Sequence, residues 1–403
     1  MLNKIKYFFF ALPIFALVAW IGNSTVNYFT HNTPPEISFV GLVHQGSYAE
    51  KLSCAIKSTG TYKVKTLSAW LDGKEYDLGE AKFIRRKLFE SPLSIDLGNL
   101  ENGPHTFEVE ATDSSYNQNQ AHEKVTFYVD NLPLKAEYLE PRYTVEQGKT
   151  LHLKMQLNKP IAQGRISFLS KDYFFYPESE GSTLYECFIP IDCEEKSLEV
   201  TPQTEIADAV GNSLKLTCAI QVKPFAFKKQ RGFTVSEEKL EQEKEVSMNT
   251  KILRDAINKW VQDSPKKKLW NGPFEYPIEV QRVTTPFGEV RTTPQRGRYH
   301  HKGLDLVNQP RSVVWAAQHG KIVIKDRFLM TGNTIVIDHG LGIFTLYAHL
   351  EDFGDVNVGD TVQKGNPIGR LGMTGYASGY HLHWEMLVQG VQVDPVEWTS
   401  NIH

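Results

Sequence analysis

Tyr380-His381-Leu382-His383-Trp384 places two imidazoles at i and i+2. On a strand these positions share a face, so His381 and His383 would point into one space while Leu382 and Trp384 face a core. On a helix the same pair would diverge by about 200°. Gly379 before the pair and the apolar residues after it suit the strand. An isolated H-x-H is equally well explained by a surface or core histidine pair, so its meaning depends on what else can reach it.

Two further segments offer suitable chemistry. His301-Lys302-Gly303-Leu304-Asp305 supplies nitrogen and oxygen donors of the kind zinc accepts. Four extended steps would hold the two donors roughly 13 Å apart, so the chain must bend if they share an ion. Gly303 permits that bend and leaves room beside it. His300 is one position off this face and reads as a neighbour, not a ligand. Leu346-Tyr347-Ala348-His349-Leu350 follows an alternating apolar run through Ile335, Ile337, Phe344 and Leu346, and delivers a further histidine. His319-Gly320 and His339-Gly340 read as turns. Eight of the 13 histidines lie from residue 271 onward. Three protein ligands and an open fourth position make a catalytic zinc site, whereas structural sites are closed by four. His301, Asp305 and one member of the H-x-H pair give three. The other member and His349 are then free to act on a water. The chain has no H-E-x-x-H glutamate, so a base must come from such a pair.

These motifs resemble the lysostaphin-type, LytM-like zinc metallopeptidases, which cut peptide bonds in peptidoglycan. The resemblance spans about residues 283 to 396. It rests on TTPFG at 284–288, RYHHKGLDL at 298–306, LYAHL at 346–350, VGDTVQKGNPIGRLGMTG at 358–375, GYHLHWEM at 379–386 and GVQVDPVEW at 390–398. The resemblance implies a small antiparallel β-domain with a glycine-rich groove, one zinc ion on His301, Asp305 and His383, and catalytic roles for His349 and His381. Tyr380 stands where the family often has proline, and Trp384 where it often has phenylalanine. Family members that activate amidases instead of cutting typically lose several of the five site positions, and all five are present here. The stretch from Val358 to Gly369 also resembles biotinyl-lipoyl carrier barrels, but those lack the histidines. The expected activity is therefore zinc-dependent cleavage of peptidoglycan cross-links by a metal-activated water, of DD-type or another bond. The alternatives are a non-hydrolytic wall-binding regulator or amidase activator, and a zinc protease aimed at a protein.

The elements that must position this chemistry occupy a chain of 403 residues, enough for two to four domains. It is 41% apolar and 23% charged, an ordinary globular balance. Lys and Arg total 44 against 47 for Asp and Glu, a net charge of −3, which argues against a generally basic nucleic-acid binder. The fold class expected is mainly β. Residues 34–130 carry short alternating segments, such as Phe107, Val109, Ala111 and Val125, Phe127, Val129, with Asp72-Gly73 and Asn102-Gly103 as hairpin turns. Residues 131–225 look like a second copy, with one clean alternating run through Leu214, Leu216, Cys218, Ile220 and Val222. Asp113…Asn117 and Asp208…Asn212 mark the same turn before the last strand of each copy. Both copies resemble bacterial immunoglobulin-like β-sandwich modules and read as spacers. Residues 226–270 form a helical linker with apolar Ile252, Leu253, Ala256, Ile257, Trp260 and Val261 recurring at i, i+4 spacing, and with Thr234 and Glu237 as its capping box. Residues 271–403 are the metallopeptidase domain.

Residues 1–30 form a signal anchor, favoured over a cleaved signal peptide. Lys4 and Lys6 precede the uncharged run Tyr7–Gly22, and bulky Trp20 and Ile21 stand where a cleavage site should have small residues. Either reading places the rest in the cell envelope, anchored in an inner membrane facing the periplasm or secreted. There, one disulfide among Cys187, Cys193 and Cys218 is plausible.

Overall fold

The computed structural model describes all residues except 1–16, 18, 80–85, 231–250, 294–296 and 401–403. The Tyr7–Gly22 run falls largely outside the described residues, as does the Thr234–Glu237 capping box. Among the described residues no helix is long and apolar enough to cross a membrane. The chain divides into two compact units, one reaching Pro133 and also taking in Ala209–Asn212, the other holding Leu134–Asp208 and the chain from Ser213 onward.

In the first unit the alternating segments become two sheets facing one core. Glu36–Val40, Lys51–Thr59 and Leu88–Asp96 form one sheet. Ser47–Tyr48, Gln120–Val129, Gly103–Asp113, Val64–Leu71 and Lys74–Tyr76 form the other. Phe107, Val109, Ala111 and Phe127 point inward against Ile56 and Ile95, as period-two patterning requires. Asp72-Gly73 closes a two-residue hairpin with both φ angles positive (52° and 74°). Asn102-Gly103 does something else. The strand before it pairs with Lys51–Thr59 and the strand after it with Gln120–Val129, so this turn carries the chain from one sheet to the other.

The second unit opens with another β-sandwich, built on Leu151, Leu153, Met155, Ile166, Ile189 and Ile220. Each sandwich contains a short parallel pairing to its last strand: Ser47–Tyr48 against Tyr128–Val129, and Arg142–Glu146 against Ala219–Lys223. The run through residues 214–222 is two strands, not one. Ser213–Thr217 pairs with Gln203–Ala207, whereas Ala219–Lys223 lies in a different sheet, and the chain changes sheets at buried Cys218. Alternation continues across the break, which is why the sequence does not reveal it. No disulfide forms: Cys54, Cys187, Cys193 and Cys218 are all free and buried. Burial pushes the Cys193 thiol up to about 11 and that of Cys187 higher still.

The C-terminal region is organised by a ten-stranded sheet. Its main path runs Arg282–Thr285, Leu304–Val307, Leu382–Val388, Ile343–Phe353, Gly332–Asp338, Gly320–Phe328, Thr361–Val362. The sheet has an apolar layer on each face, so its strands read as nearly continuous hydrophobic runs. One layer holds Leu304, Leu306, Ile335, Ile337, Tyr347, Leu382, Trp384 and Met386. The other holds Val336, Phe344, Leu346, Ala348 and Leu387, covered by Leu253, Ile257 and Val261 of the helix at 251–263. The first layer also takes in Trp270, Phe274 and Ile278, from the stretch following the helix, and Phe188 of the preceding sandwich. Further contacts tie that sandwich to the sheet. Lys149 meets Asp394 at 2.6 Å, the Thr150 backbone N–H donates to Glu397 at 2.9 Å, and Lys302 meets Asp192 at 2.9 Å.

Candidate active site

Sheet register brings the three anticipated donors together. Leu304–Val307 lies antiparallel to Leu382–Val388 with Asp305 opposite His383 and Leu304 opposite Trp384. With Leu304, Leu306, Leu382 and Trp384 committed to one core layer, Asp305 and His383 must project from the opposite face. His301 joins them from the turn preceding its strand. One donor atom from each of His301, Asp305 and His383 falls in a group within 4.8 Å. The Asp305 Oδ1 atom lies 3.2 Å from His301 Nε2 and 2.8 Å from His383 Nδ1.

The bend expected at Gly303 is present, and its cause is close packing. A Cβ built there would stand 2.5 Å from Cε1 and 2.6 Å from Nε2 of His383, so only glycine lets the chain pass the imidazole. His300 turns away, with its Nδ1 3.0 Å from Glu194 Oε1. Of the two supposed turn histidines, His319 lies in a bend. His339 is fully buried, its Nδ1 donating to the His319 carbonyl and its Nε2 bonded to the Thr345 hydroxyl. Burial pulls its pKa down to about 4.

His349 arrives by a backbone irregularity. Up to Ala348 its strand pairs with Leu382–Val388, and from Leu350 it pairs with Pro367–Leu371. His349 stands at the changeover with φ of 60°. Side-chain parity flips there, since Tyr347 and Leu350 enter the same core layer. A left-handed non-glycine residue inside a strand costs on the order of 1 kcal/mol or more and is a recurrent property of functional positions. The result places the His349 ring 4.6 Å, centroid to centroid, from His381 and 6.1 Å from His383. His381 Nε2 is 3.9 Å from Asp305 Oδ1.

Each imidazole is oriented through its other nitrogen. His301 Nδ1 faces the Pro286 carbonyl at 3.3 Å, His349 Nδ1 the Thr374 carbonyl at 2.8 Å and His381 Nδ1 the Gly379 carbonyl at 2.8 Å. A carbonyl only accepts, so these Nδ1 atoms are donors, and in the neutral form of each ring the lone pair lies on Nε2. His383 is turned the other way round. Its Nδ1 faces Asp305 and its Nε2 bonds to Glu385 Oε1 at 3.0 Å.

The electrostatics follow from this packing. Burial alone would raise the Asp305 carboxyl, but its contacts with His301 and His383 outweigh it and hold the group far below the usual carboxylate range. Burial would lower His383, yet its contacts with Asp305 and Glu385 carry it up to about 9. Burial, reinforced by the neighbouring His381 and His383, pulls His349 down to about 3 and keeps it neutral.

Glu385 escaped the sequence reading. It is buried, held by Arg254 Nη2 at 2.9 Å and Gln392 Nε2 at 3.2 Å, with its carboxyl kept low by the Arg254 charge and the His383 contact despite burial. The signal was present, because positions 381, 383 and 385 share one strand face by the period that joined the two histidines. Arg254 had no such signal, lying 129 residues from His383 in the chain.

Donor chemistry and spacing suit a metal. Donors sharing one tetrahedral zinc at about 2.0–2.1 Å stand roughly 3.3 Å apart, close to the two separations at Asp305 Oδ1. Residues 299–395 match the model of Peptidase family M23. The C-terminal region is an M23 peptidase domain. Around this M23 domain the chain is 35% identical over 147 residues to the peptidoglycan DD-endopeptidase ShyC of Vibrio cholerae, covering 36% of this chain and 34% of that one. It is 36% identical over 121 residues to the DD-carboxypeptidase/endopeptidase Mpg of Neisseria meningitidis, covering 30% and 27%. The chain thus spans about a third of the length of these relatives. A crystal structure of an M23 peptidase from Pseudomonas aeruginosa aligns with 65% of this chain and 96% of its own, at 21% identity and a TM-score of 0.46.

Proposed function

We propose that this protein is a zinc-dependent endopeptidase that hydrolyses peptide cross-links of bacterial peptidoglycan. The observation that carries this reading is the convergence of His301, Asp305 and His383 on one point of the sheet face. Two further imidazoles, His349 and His381, stand beside them. The M23 match and the peptidoglycan endopeptidases among the relatives support the substrate class.

His301 Nε2, Asp305 Oδ1 and His383 Nδ1 would hold the ion, leaving further coordination positions to solvent and substrate. When bound, the metal supplies Lewis acidity toward the scissile carbonyl and makes a water acidic enough to react near neutral pH. The remaining work belongs to the chain. His349 and His381 present their Nε2 atoms to the site, one to take a proton from the attacking water and the other, when protonated, to steady the oxyanion or deliver a proton to the departing amine. The carbonyls of Thr374 and Gly379 keep both rings in the required tautomer. Lys4, Lys6 and the apolar run after them support anchorage in the inner membrane facing the periplasm, or secretion if the run is cleaved.

The test is to incubate purified cell wall with the protein, with and without a chelator, and to follow new amines while identifying the released muropeptides by mass spectrometry. Chelator-sensitive amine release is expected. Wall binding without new amines would replace the hydrolase with a non-hydrolytic regulator.

A further inference from the structure

Four observations meet at one side chain. His383 is the donor whose second nitrogen faces a carboxylate, Glu385, whereas His301, His349 and His381 face backbone carbonyls. Glu385 is 2% exposed, so its charge has little water to stabilise it and needs a protein counter-charge. That counter-charge is Arg254, whose Nη2 contacts the same oxygen, Oε1, that meets His383 Nε2. Arg254 sits on the helix at 251–263, upstream of the segment matched to the M23 family at 299–395.

The geometry is cumulative. Leu253, Ile257 and Val261 bury against Phe344, Leu346 and Leu387, which anchors the helix on the sheet face from which His383 and Glu385 project. The anchored helix aims one guanidinium at Glu385. Glu385, further braced by Gln392, takes the His383 Nε2 proton as a hydrogen bond. With its Nε2 proton held by Glu385, the ring has Nδ1 as the nitrogen aimed at Asp305 and His301, the one whose lone pair a metal would take in place of a proton. Partners behind a ligating histidine commonly alter metal affinity by 10- to 100-fold.

We propose that Arg254 is a positioning residue for the metal site, acting through Glu385 to fix the tautomer and direction of His383. This rests on the reading of His301, Asp305 and His383 as metal ligands. A helix outside the matched peptidase segment would then be a working part of the site, and a peptidase domain lacking the helix would bind its ion more weakly.

Zinc dissociation constants measured by chelator competition, with no substrate present, test this on the full chain. The wild type should bind one zinc; if it binds none, the ligand assignment itself fails, which is a different failure from the one sought. Glu385→Gln should weaken zinc by about 10- to 100-fold and Arg254→Met by about 10-fold. Arg254→Lys, which keeps the charge, should recover part of the loss. The double variant Arg254→Met with Glu385→Gln should be no weaker than Glu385→Gln alone, because both act along one line. The visible spectrum of the cobalt-loaded protein should change in Arg254→Met. Should Arg254→Met fail to fold, Arg254→Gln and Arg254→Lys carry the same comparison. A lowered Tm with unchanged zinc affinity and an unchanged cobalt spectrum would reduce Arg254 to an ordinary packing contact and overturn the proposal.

Discussion

At the scale of single residues, the proposed function would separate metal holding from proton handling. His383 sits between two carboxylates, whereas His349 sits among imidazoles and a carbonyl. His383→Ala is therefore expected to abolish stoichiometric zinc, as read by metal analysis of the purified protein. His349→Ala should keep zinc and lose on the order of 10²- to 10⁴-fold in turnover, the usual range for a general base. Retained zinc in the first variant, or full turnover in the second, would exchange a chemical role for a structural one. Gly303 makes a sharper geometric case. Alanine there would force a methyl group to 2.5 Å from His383, so the ring or the strand must move. Gly303→Ala should lower zinc affinity at least tenfold. An unchanged affinity would show that the close approach does not constrain the site.

At the scale of elements, the helix at 251–263 shows how patterning converts into energy. Ile257 is 1% exposed against the sheet, whereas Ile252, expected in the same apolar stripe, falls one position off the buried face and is 57% exposed. Ile257→Ala should cost about 2–5 kcal/mol, since it leaves a cavity the sheet cannot close. Ile252→Ala should fall within about 0.5 kcal/mol. Denaturant unfolding of the two variants checks the contrast, and equal losses would mean the helix is packed on a different face. The strand carrying His349 teaches the converse lesson. Its residues are buried without a break from Ile343 to Leu350, yet it changes partners at His349. That exchange lets one strand serve two neighbours and turns the imidazole into the space beside His381.

At the scale of the whole molecule, the second sandwich is built into the peptidase unit. Phe188 shares a core with Trp270 and Trp398, and Glu397 accepts the backbone N–H of Thr150, the first residue of the strand Thr150–Leu157. Burial drives the Glu397 carboxyl up to about 7 from its ordinary 4.5, despite the Thr150 hydrogen bond. The folded state therefore holds this proton more tightly than the unfolded chain. The contribution is fully present below about pH 4.5 and is lost as pH rises toward 7, amounting to at most about 3 kcal/mol. Glu397→Gln should remove this loss. Measured as a difference from wild type across pH 4 to 8, the variant should gain relative stability as pH rises. A difference that does not vary with pH would show that Glu397 titrates normally.

The sequence by itself determined the donors and the local pattern that aims them. An H-x-H pair on a strand, a histidine and aspartate separated by a glycine, and alternating apolar residues are statements about neighbours within a few positions. Local backbone periodicity is enough to read them. It also signalled the Asp72-Gly73 hairpin, because that turn depends on two residues alone. The tertiary structure decided which strands lie side by side. Register set Asp305 opposite His383, a changeover of partners turned His349 inward, and packing of a distant helix put Arg254 behind Glu385. It also split the alternating run at Cys218 and sent the chain at Asn102-Gly103 across to another sheet. These outcomes follow from the closure of long loops and the burial of shared surfaces, which join residues from about twenty to more than a hundred positions apart and leave no periodic trace along the chain.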